Sequence, residues 1–143
     1  MKEIRGNILD INEGVICHQV NCRRAAGAGL ALQIRNRWPA WYESFVRTTP
    51  KLGKCGVYTT SSGVRIANFY SQDGYGRGRR QTSYDAFRKC CKLVYEFANV
   101  REETVYLPVG IGCGLAGGDW RTVLGIIEEE LPEAILVKYG GKT

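Results

Sequence analysis

The sequence predicts an α/β fold, one layered domain over residues 1–143 with helices packed on a mixed sheet. Three observations carry this reading. Short apolar runs alternate with stretches of helical period. Two of those runs end in glycine-rich loops that lead into helix-like segments. An early pair of runs is joined by Ser61-Ser62-Gly63, a tight-turn signal that adds an antiparallel pair to the sheet.

Taken in order, residues 2–5 and 14–20 read as strands, the second nearly continuous in apolar residues around Ile16 and Val20, as when both sheet faces are covered. Residues 29–37 suit a helix through Leu30, Ala31 and Ile34, and Pro39 ends or restarts it. Residues 40–48 read as a second short helix with Trp41 and Phe45 inward, and 56–60 and 64–70 as paired strands. A loop spans 71–82, and Ser83 caps a helix to about Ala98 with Phe87, Cys90, Cys91, Val94 and Phe97 on its apolar stripe. A strand over 104–109, a helix over 120–130 and a strand over 134–139 complete the chain.

Composition narrows the function classes. With 44% hydrophobic and 24% charged residues the chain is an ordinary globular sequence. No apolar run approaches the roughly 20 residues of a membrane span. Met1-Lys2-Glu3-Ile4-Arg5 enters a strand pattern without an apolar leader, so a cytoplasmic location is expected. The six cysteines form no CxxC pair and there is one histidine, so neither a metal site nor a cofactor is expected, and the cysteines read as reduced, mostly packing thiols. The net charge of +6 favours anionic ligands, a nucleotide or a nucleic acid alike. A monomer is expected.

The chemistry concentrates in the two glycine loops. The first runs from Val20-Asn21-Cys22 through Gly27-Ala28-Gly29-Leu30-Ala31, the second from Gly110-Ile111-Gly112-Cys113-Gly114-Leu115 to Gly117-Gly118. A strand, a glycine turn and a helix start present bare backbone N–H groups to an anion. Leu32 stands where a Rossmann loop needs its third glycine, and no Gly-Lys-Ser/Thr of a Walker A loop occurs. Gly27 and Gly29 alone fit a structural turn equally well. Five glycines in nine residues of the second loop exceed what a plain connection needs. His18 fits a satisfied buried side chain or a catalytic one. Asn21 fits a ribose contact or a turn brace. Asp119 fits the N-cap of the last helix or a catalytic carboxylate. Arg77, Arg79 and Arg80 beside Tyr75 fit a solvated loop, an RNA contact or a lid over phosphate.

Together the two loops resemble those of the macro domain, the ADP-ribose-binding family, and Arg5-Gly6-Asn7-Ile8-Leu9 resembles its opening Gly-Asp-Ile segment. The resemblance spans nearly the whole chain. It is nearest to the branch of terminal ADP-ribose protein glycohydrolase, the DNA ADP-ribosylation antitoxin and the yeast ADP-ribose 1''-phosphate phosphatase, and stand-alone modules of this kind occur in bacteria and phages. It implies a three-layer α/β/α sandwich with a mixed sheet of about six strands. Its ligand would be ADP-ribose or a derivative, free or carried on protein or nucleic acid. The implied activity is hydrolysis at the distal end of a 1''-phosphate, an acetyl ester or an ADP-ribosyl adduct. A non-catalytic reader is the alternative, and a basic nucleic-acid-binding module a third.

Carried over by position, Asn7 and Ile8 would meet the adenine, with Tyr139 stacking at its edge. Gly27, Ala28, Gly29 and Leu30 would line the diphosphate and distal ribose, with Asn21 beside that ribose. Gly110, Ile111, Gly112, Cys113, Gly114 and Leu115 would cradle the phosphates. Three positions depart from the family: Asn7 replaces its aspartate, Ser71 and Gln72 stand where the glycohydrolase branch has a nucleophilic lysine, and Ala116 replaces an aspartate. The resemblance therefore implies a lysine-free route, with His18 handling water or a proton and Asp73 or Asp119 assisting.

Overall fold

The chain folds in the order β1 (Lys2–Gly6), β2 (Val15–Asn21), α1 (Gly29–Arg37), α2 (Pro39–Arg47), β3 (Cys55–Thr59), β4 (Arg65–Gln72), α3 (Tyr84–Arg101), β5 (Val105–Pro108), α4 (Trp120–Glu130) and β6 (Ile135–Tyr139). This is a computed structural model that describes residues 1–74 and 80–140. The six strands form one sheet in the order β1-β6-β5-β2-β4-β3. Every neighbouring pair is parallel except β3 and β4.

Side-chain alternation along β2 divides the core in two. Val15 and Cys17 pack with Phe87, Cys91 and Val94 of α3 and Val123 and Ile127 of α4. Ile16 and Val20 pack on the opposite face with Ile34 of α1 and Trp41 and Phe45 of α2. Helices thus cover both faces, which is the three-layer sandwich, and the near-continuous apolar run of β2 follows from its central place. The chain leaves β2 toward the α1–α2 layer and leaves its parallel neighbour β5 toward α4. Adjacent strands whose exits diverge to opposite faces open a crevice at their C-terminal ends, where α/β sheets bind ligands.

The structure adds detail at several elements. A single 3-10 turn, Ile8–Asp10, follows β1, with Asn7 Oδ1 accepting from Leu9 N at 2.9 Å. Strand β4 continues to Gln72, past the end at 70 that apolar content alone indicates, because Ser71 and Gln72 are polar yet still in register. Its pairing with β2 shifts between Val20 and Asn21, so that Ser71 is the extra residue of a bulge. Helix α3 runs on to Arg101 and stops at Glu102 in the left-handed region. Phe97 is only half-buried, its ring covered by the Arg101 guanidinium at 3.7 Å. Of the arginine loop, Tyr75, Arg77 and Arg79 lie outside the described residues, whereas Arg80 sits over the Tyr84 ring at 4.3 Å. All six cysteines are free thiols, with Cys17, Cys90 and Cys91 buried. Among the described residues no helix is long and apolar enough to cross a membrane.

Candidate functional site

A cavity of about 670 Å³ opens at the C-terminal ends of β2 and β5, within the size range of small-ligand sites. One wall is the first glycine loop, Asn21, Ala25 and Gly27 through Ala31. The other is the second, Pro108 through Gly112 and Gly114 through Ala116, with His18, Gln19, Val20 and Gln72 between them.

The first wall ends in the N-terminus of α1. Its N-cap is Ala28, whose side chain has no acceptor to offer, and no side chain caps the helix. The first amides of any helix lack intrahelical acceptors. Helices α3 and α4 each satisfy one of theirs with a side chain, Ala86 N on Ser83 and Thr122 N on Asp119. At α1 they are left unspent and carry the positive end of the helix dipole to the cavity wall. Asn21 braces the approach. Its Oδ1 accepts from Arg23 N at 2.9 Å and Ala25 N at 3.1 Å, and its Nδ2 donates to Ala25 O at 2.9 Å.

The second wall is a folded glycine turn. Gly110 and Gly112 have φ of +87° and +78°, in the left-handed region that other residues rarely adopt. Ile111 N and Cys113 N are tied internally to Pro108 O and Gly110 O. Among the described residues, the N–H groups of Gly112, Gly114, Leu115 and Ala116 have no acceptor. Gly118 N returns to Gly112 O at 2.9 Å, and a Cβ on Gly118 would stand 2.5 Å from that same oxygen. Gly118→Ala is therefore expected to unseat the turn, read as new amide shifts confined to 110–118. An unchanged spectrum would remove the close approach as the reason for that glycine.

His18 lies at the base of the cavity and is buried. Its Nε2 is 2.7 Å from Asn68 Oδ1, and Trp41 Nε1 is 2.9 Å from the same oxygen. An indole N–H only donates, so the Asn68 atom facing it is the oxygen, and His18 must carry its proton on Nε2. Nδ1 is then a bare lone pair, buried and without a partner among the described residues. Burial pushes the His18 pKa down from 6.5 to about 4, outweighing the hydrogen bond to Asn68, which raises it.

The ring is neutral at pH 7. From pH 6.5 down to about 4 the unfolded chain binds a proton that the folded protein does not, so stability falls with pH across this window. About 3 kcal/mol is expected to be lost to this group. Urea titrations across the window test it: the loss should be smaller in His18→Leu, and equal losses would exonerate the imidazole.

Several of the residues singled out from sequence lie elsewhere. Asn7 spends its amide oxygen on the 3-10 turn, and Ile8 is buried in the same apolar cluster as Ile34, Trp41 and Phe45. Tyr139 is 72% exposed, paired in register with Gly6 at the edge of the sheet. None of the three lines the cavity. Cys113 is also off the wall, its thiol donating to Ile111 O at 3.4 Å and pushed up to about 11 by burial. Asp73 is exposed, its N–H donating to Gln81 O. Asp119 caps α4, its Oδ2 accepting from Thr122 N at 3.0 Å and Thr122 Oγ1 at 2.9 Å. Those bonds hold its carboxyl below the usual carboxylate range. Asp119→Ala is expected to lower the melting temperature by a few degrees without moving ligand affinity. A loss of affinity instead would return Asp119 to the site.

Gln72, at the lysine position of the glycohydrolase branch, lines the cavity, and so does Gln19, which the motifs do not mark. A polar side chain inside a buried strand is the sequence signal that marks Gln19. Among the described residues, no group of three His, Cys, Asp or Glu side chains is placed to hold a metal ion.

A six-stranded mixed sheet between two helical layers, with this cleft at the strand ends, is the macrodomain fold. The chain belongs to the same family as a protein of unknown function from Bacteroides thetaiotaomicron. The two are 31% identical over 96% of each chain, with a TM-score of 0.79. The macrodomain of Mycobacterium tuberculosis DarG is similar at 22% identity over 99% of this chain and 97% of that one, with a TM-score of 0.78. Thermosipho africanus DarTG, solved in complex with ADP-ribose, is similar at 16% identity over 96% of this chain and 41% of that one, with a TM-score of 0.80. No family model matches the sequence, and no curated protein does.

Proposed function

We propose that this protein binds ADP-ribose with the diphosphate held between its two glycine walls, and that it hydrolyses the distal end of an ADP-ribose derivative. The observation that carries the reading is the pairing of unspent amides. The uncapped start of α1 and the N–H groups of Gly112, Gly114, Leu115 and Ala116 line opposite sides of one cavity. Opposed amide donors suit a ligand with two linked phosphates. The complex of Thermosipho africanus DarTG with ADP-ribose supports the same ligand.

Asn7 and Tyr139 would lie beyond the cavity toward the β1–β6 edge and meet the adenine there, with Ile8, its side chain buried, contributing through its backbone. His18 is the candidate for chemistry at the other end, where its neutral imidazole lies at the cavity base and its buried Nδ1 would accept a hydrogen bond from water or a sugar hydroxyl once a ligand opens a path to it. A base with a pKa of about 4 is weak, so its expected part is to orient the attacking water more than to deprotonate it. Neither Asp73 nor Asp119 lines the cavity, and the route is assigned to His18 without them.

Calorimetric titration with ADP-ribose tests the binding. A turnover screen over ADP-ribose 1''-phosphate, acetyl-ADP-ribose and ADP-ribosylated polymers then separates a hydrolase from a reader. His18→Ala is expected to cut turnover by about 100-fold while affinity stays within a few fold. Unchanged turnover would retire the histidine, and no turnover by the wild-type protein on any substrate would leave the reader.

One observation favours a nucleic-acid carrier for the ADP-ribose. Residues 22–54, which build the α1–α2 layer and its flanks, hold seven basic residues and one acidic. Residues 84–139 hold six basic and nine acidic. Among the described residues every ion pair lies outside the α1–α2 layer. Arg23 and Arg24 sit exposed beside the cavity wall, and Arg35 and Arg37 lie over the Tyr42 and Trp38 rings at 3.8 and 4.9 Å. A polyanionic strand complements such a face. Affinity for single-stranded nucleic acid should fall steeply with salt, while ADP-ribose affinity should change little. Equal salt slopes would argue against a separate strand contact.

A further inference from the structure

Behind the second glycine loop runs a chain of side-chain hydrogen bonds whose direction is fixed from one end. Thr82 Oγ1 is 2.7 Å from Gly112 O, and a carbonyl only accepts, so the hydroxyl donates there. With its one proton spent, Thr82 Oγ1 must accept from Gln19 Nε2 at 3.0 Å. That orients the Gln19 amide, whose Oε1 then accepts from Ser71 Oγ at 2.7 Å. Its remaining amide proton goes to Gln72 Oε1 at 3.2 Å. Ser71 is the bulged residue of β4, fully buried, and Thr82 is 2% exposed. The backbone adds a second tie, since Gln81 N and Thr82 N both donate to Ala116 O, at 2.7 and 3.2 Å. One short segment therefore holds carbonyls at both ends of Gly112–Ala116, the stretch whose free amides line the cavity.

We propose that Thr82 is a positioning residue for the second glycine loop: its hydroxyl, aimed through Gln19 and Ser71, ties the Gly112 carbonyl away from the cavity and presets the loop amides for a diphosphate. This rests on the reading that the cavity takes ADP-ribose. The bulge supplies the logic of the device. An extra residue in β4 brings the Ser71 hydroxyl to Gln19, and without that donor the Gln19 oxygen would lose its side-chain partner beside the loop. Thr82 touches no cavity space itself, so its effect on a ligand passes through the loop.

Thr82→Val keeps the shape and removes the donor, and Thr82→Ser returns it. Thr60, a buried threonine whose Oγ1 donates to Val64 O at 2.9 Å in the β3–β4 turn, is the control for loss of any such bond. Thr82→Val is expected to shift the amide resonances of Gly112, Gly114 and Leu115 in the ligand-free protein and to weaken ADP-ribose and pyrophosphate binding about tenfold. Thr82→Ser should restore both, and Thr60→Val should lower stability while leaving affinity at the wild-type value. Wild-type affinity in Thr82→Val, or an equal loss in Thr60→Val, would overturn the assignment. If the wild-type protein binds neither probe, the functional reading falls, and the amide shifts still decide the role of Thr82. Should Thr82→Val fail to fold, Thr82→Cys, a weak donor of similar size, takes its place in the same comparisons.

Discussion

Gly112→Ala is expected to weaken ADP-ribose binding by about 100-fold or more, two costs acting together. The first is conformational. With φ at +78°, an L side chain is strained by about 1–3 kcal/mol wherever the new atom points. The second is steric. The added Cβ would stand 3.0 Å from Gln19 Oε1 and 3.4 Å from Thr82 Oγ1, so the loop or the side chains beneath it must give by a few tenths of an ångström. Either response moves the amides that face the cavity. Gly110→Ala separates the two costs, because its φ is +87° and nothing lies within 4 Å of the added carbon. It should lose stability by a similar strain and keep more of its affinity. Calorimetry on both variants, with urea titrations alongside, reads the difference. Equal affinity for Gly112→Ala and wild type would refute the role given to this wall.

Trp41→Ala is expected to be the most destabilising single change considered, at about 3–5 kcal/mol. The indole is fully buried, stacked on Phe45 at 4.9 Å between ring centroids and 5.3 Å from the His18 ring. Against a total stability of roughly 5–15 kcal/mol, such a loss approaches unfolding. A denaturation midpoint within error of wild type would contradict the packing described for the α1–α2 layer. Trp41→Phe is the sharper probe of the site. It keeps most of the volume but removes the donor that fixes the Asn68 oxygen, so the Asn68 amide is free to turn and His18 is no longer confined to one tautomer. Nitrogen shifts of the imidazole should record the change, and unaltered shifts would mean that some other contact sets the proton.

The elements legible in the sequence are those set by local rules. The helix at Gly29–Arg37 follows from its apolar spacing and a glycine start, the restart at Pro39 from the fixed φ of proline, and the cap at Ser83 from its hydroxyl. The two walls of the cavity were legible for the same reason, since glycine turns at strand ends are local features. What local pattern did not carry is tertiary pairing. Asn68 lies 50 residues from His18 and Thr82 lies 63 from Gln19, and only the β2–β4 register and the return of the chain under the second loop bring them together. The bulge at Ser71 is likewise a property of two strands and not of one. At Asn7 the motif was visible, but the amide is committed to a turn that apolar periodicity does not reveal.

The uneven charge of the two helical layers has a kinetic corollary. A body basic on one flank and acidic on the other has a preferred orientation in the field of an approaching polyanion. The flank that turns forward is the one that carries the α1 end of the cleft, so a strand bearing its modification would arrive already facing the opening. The association rate should therefore depend on ionic strength more strongly than the dissociation rate does.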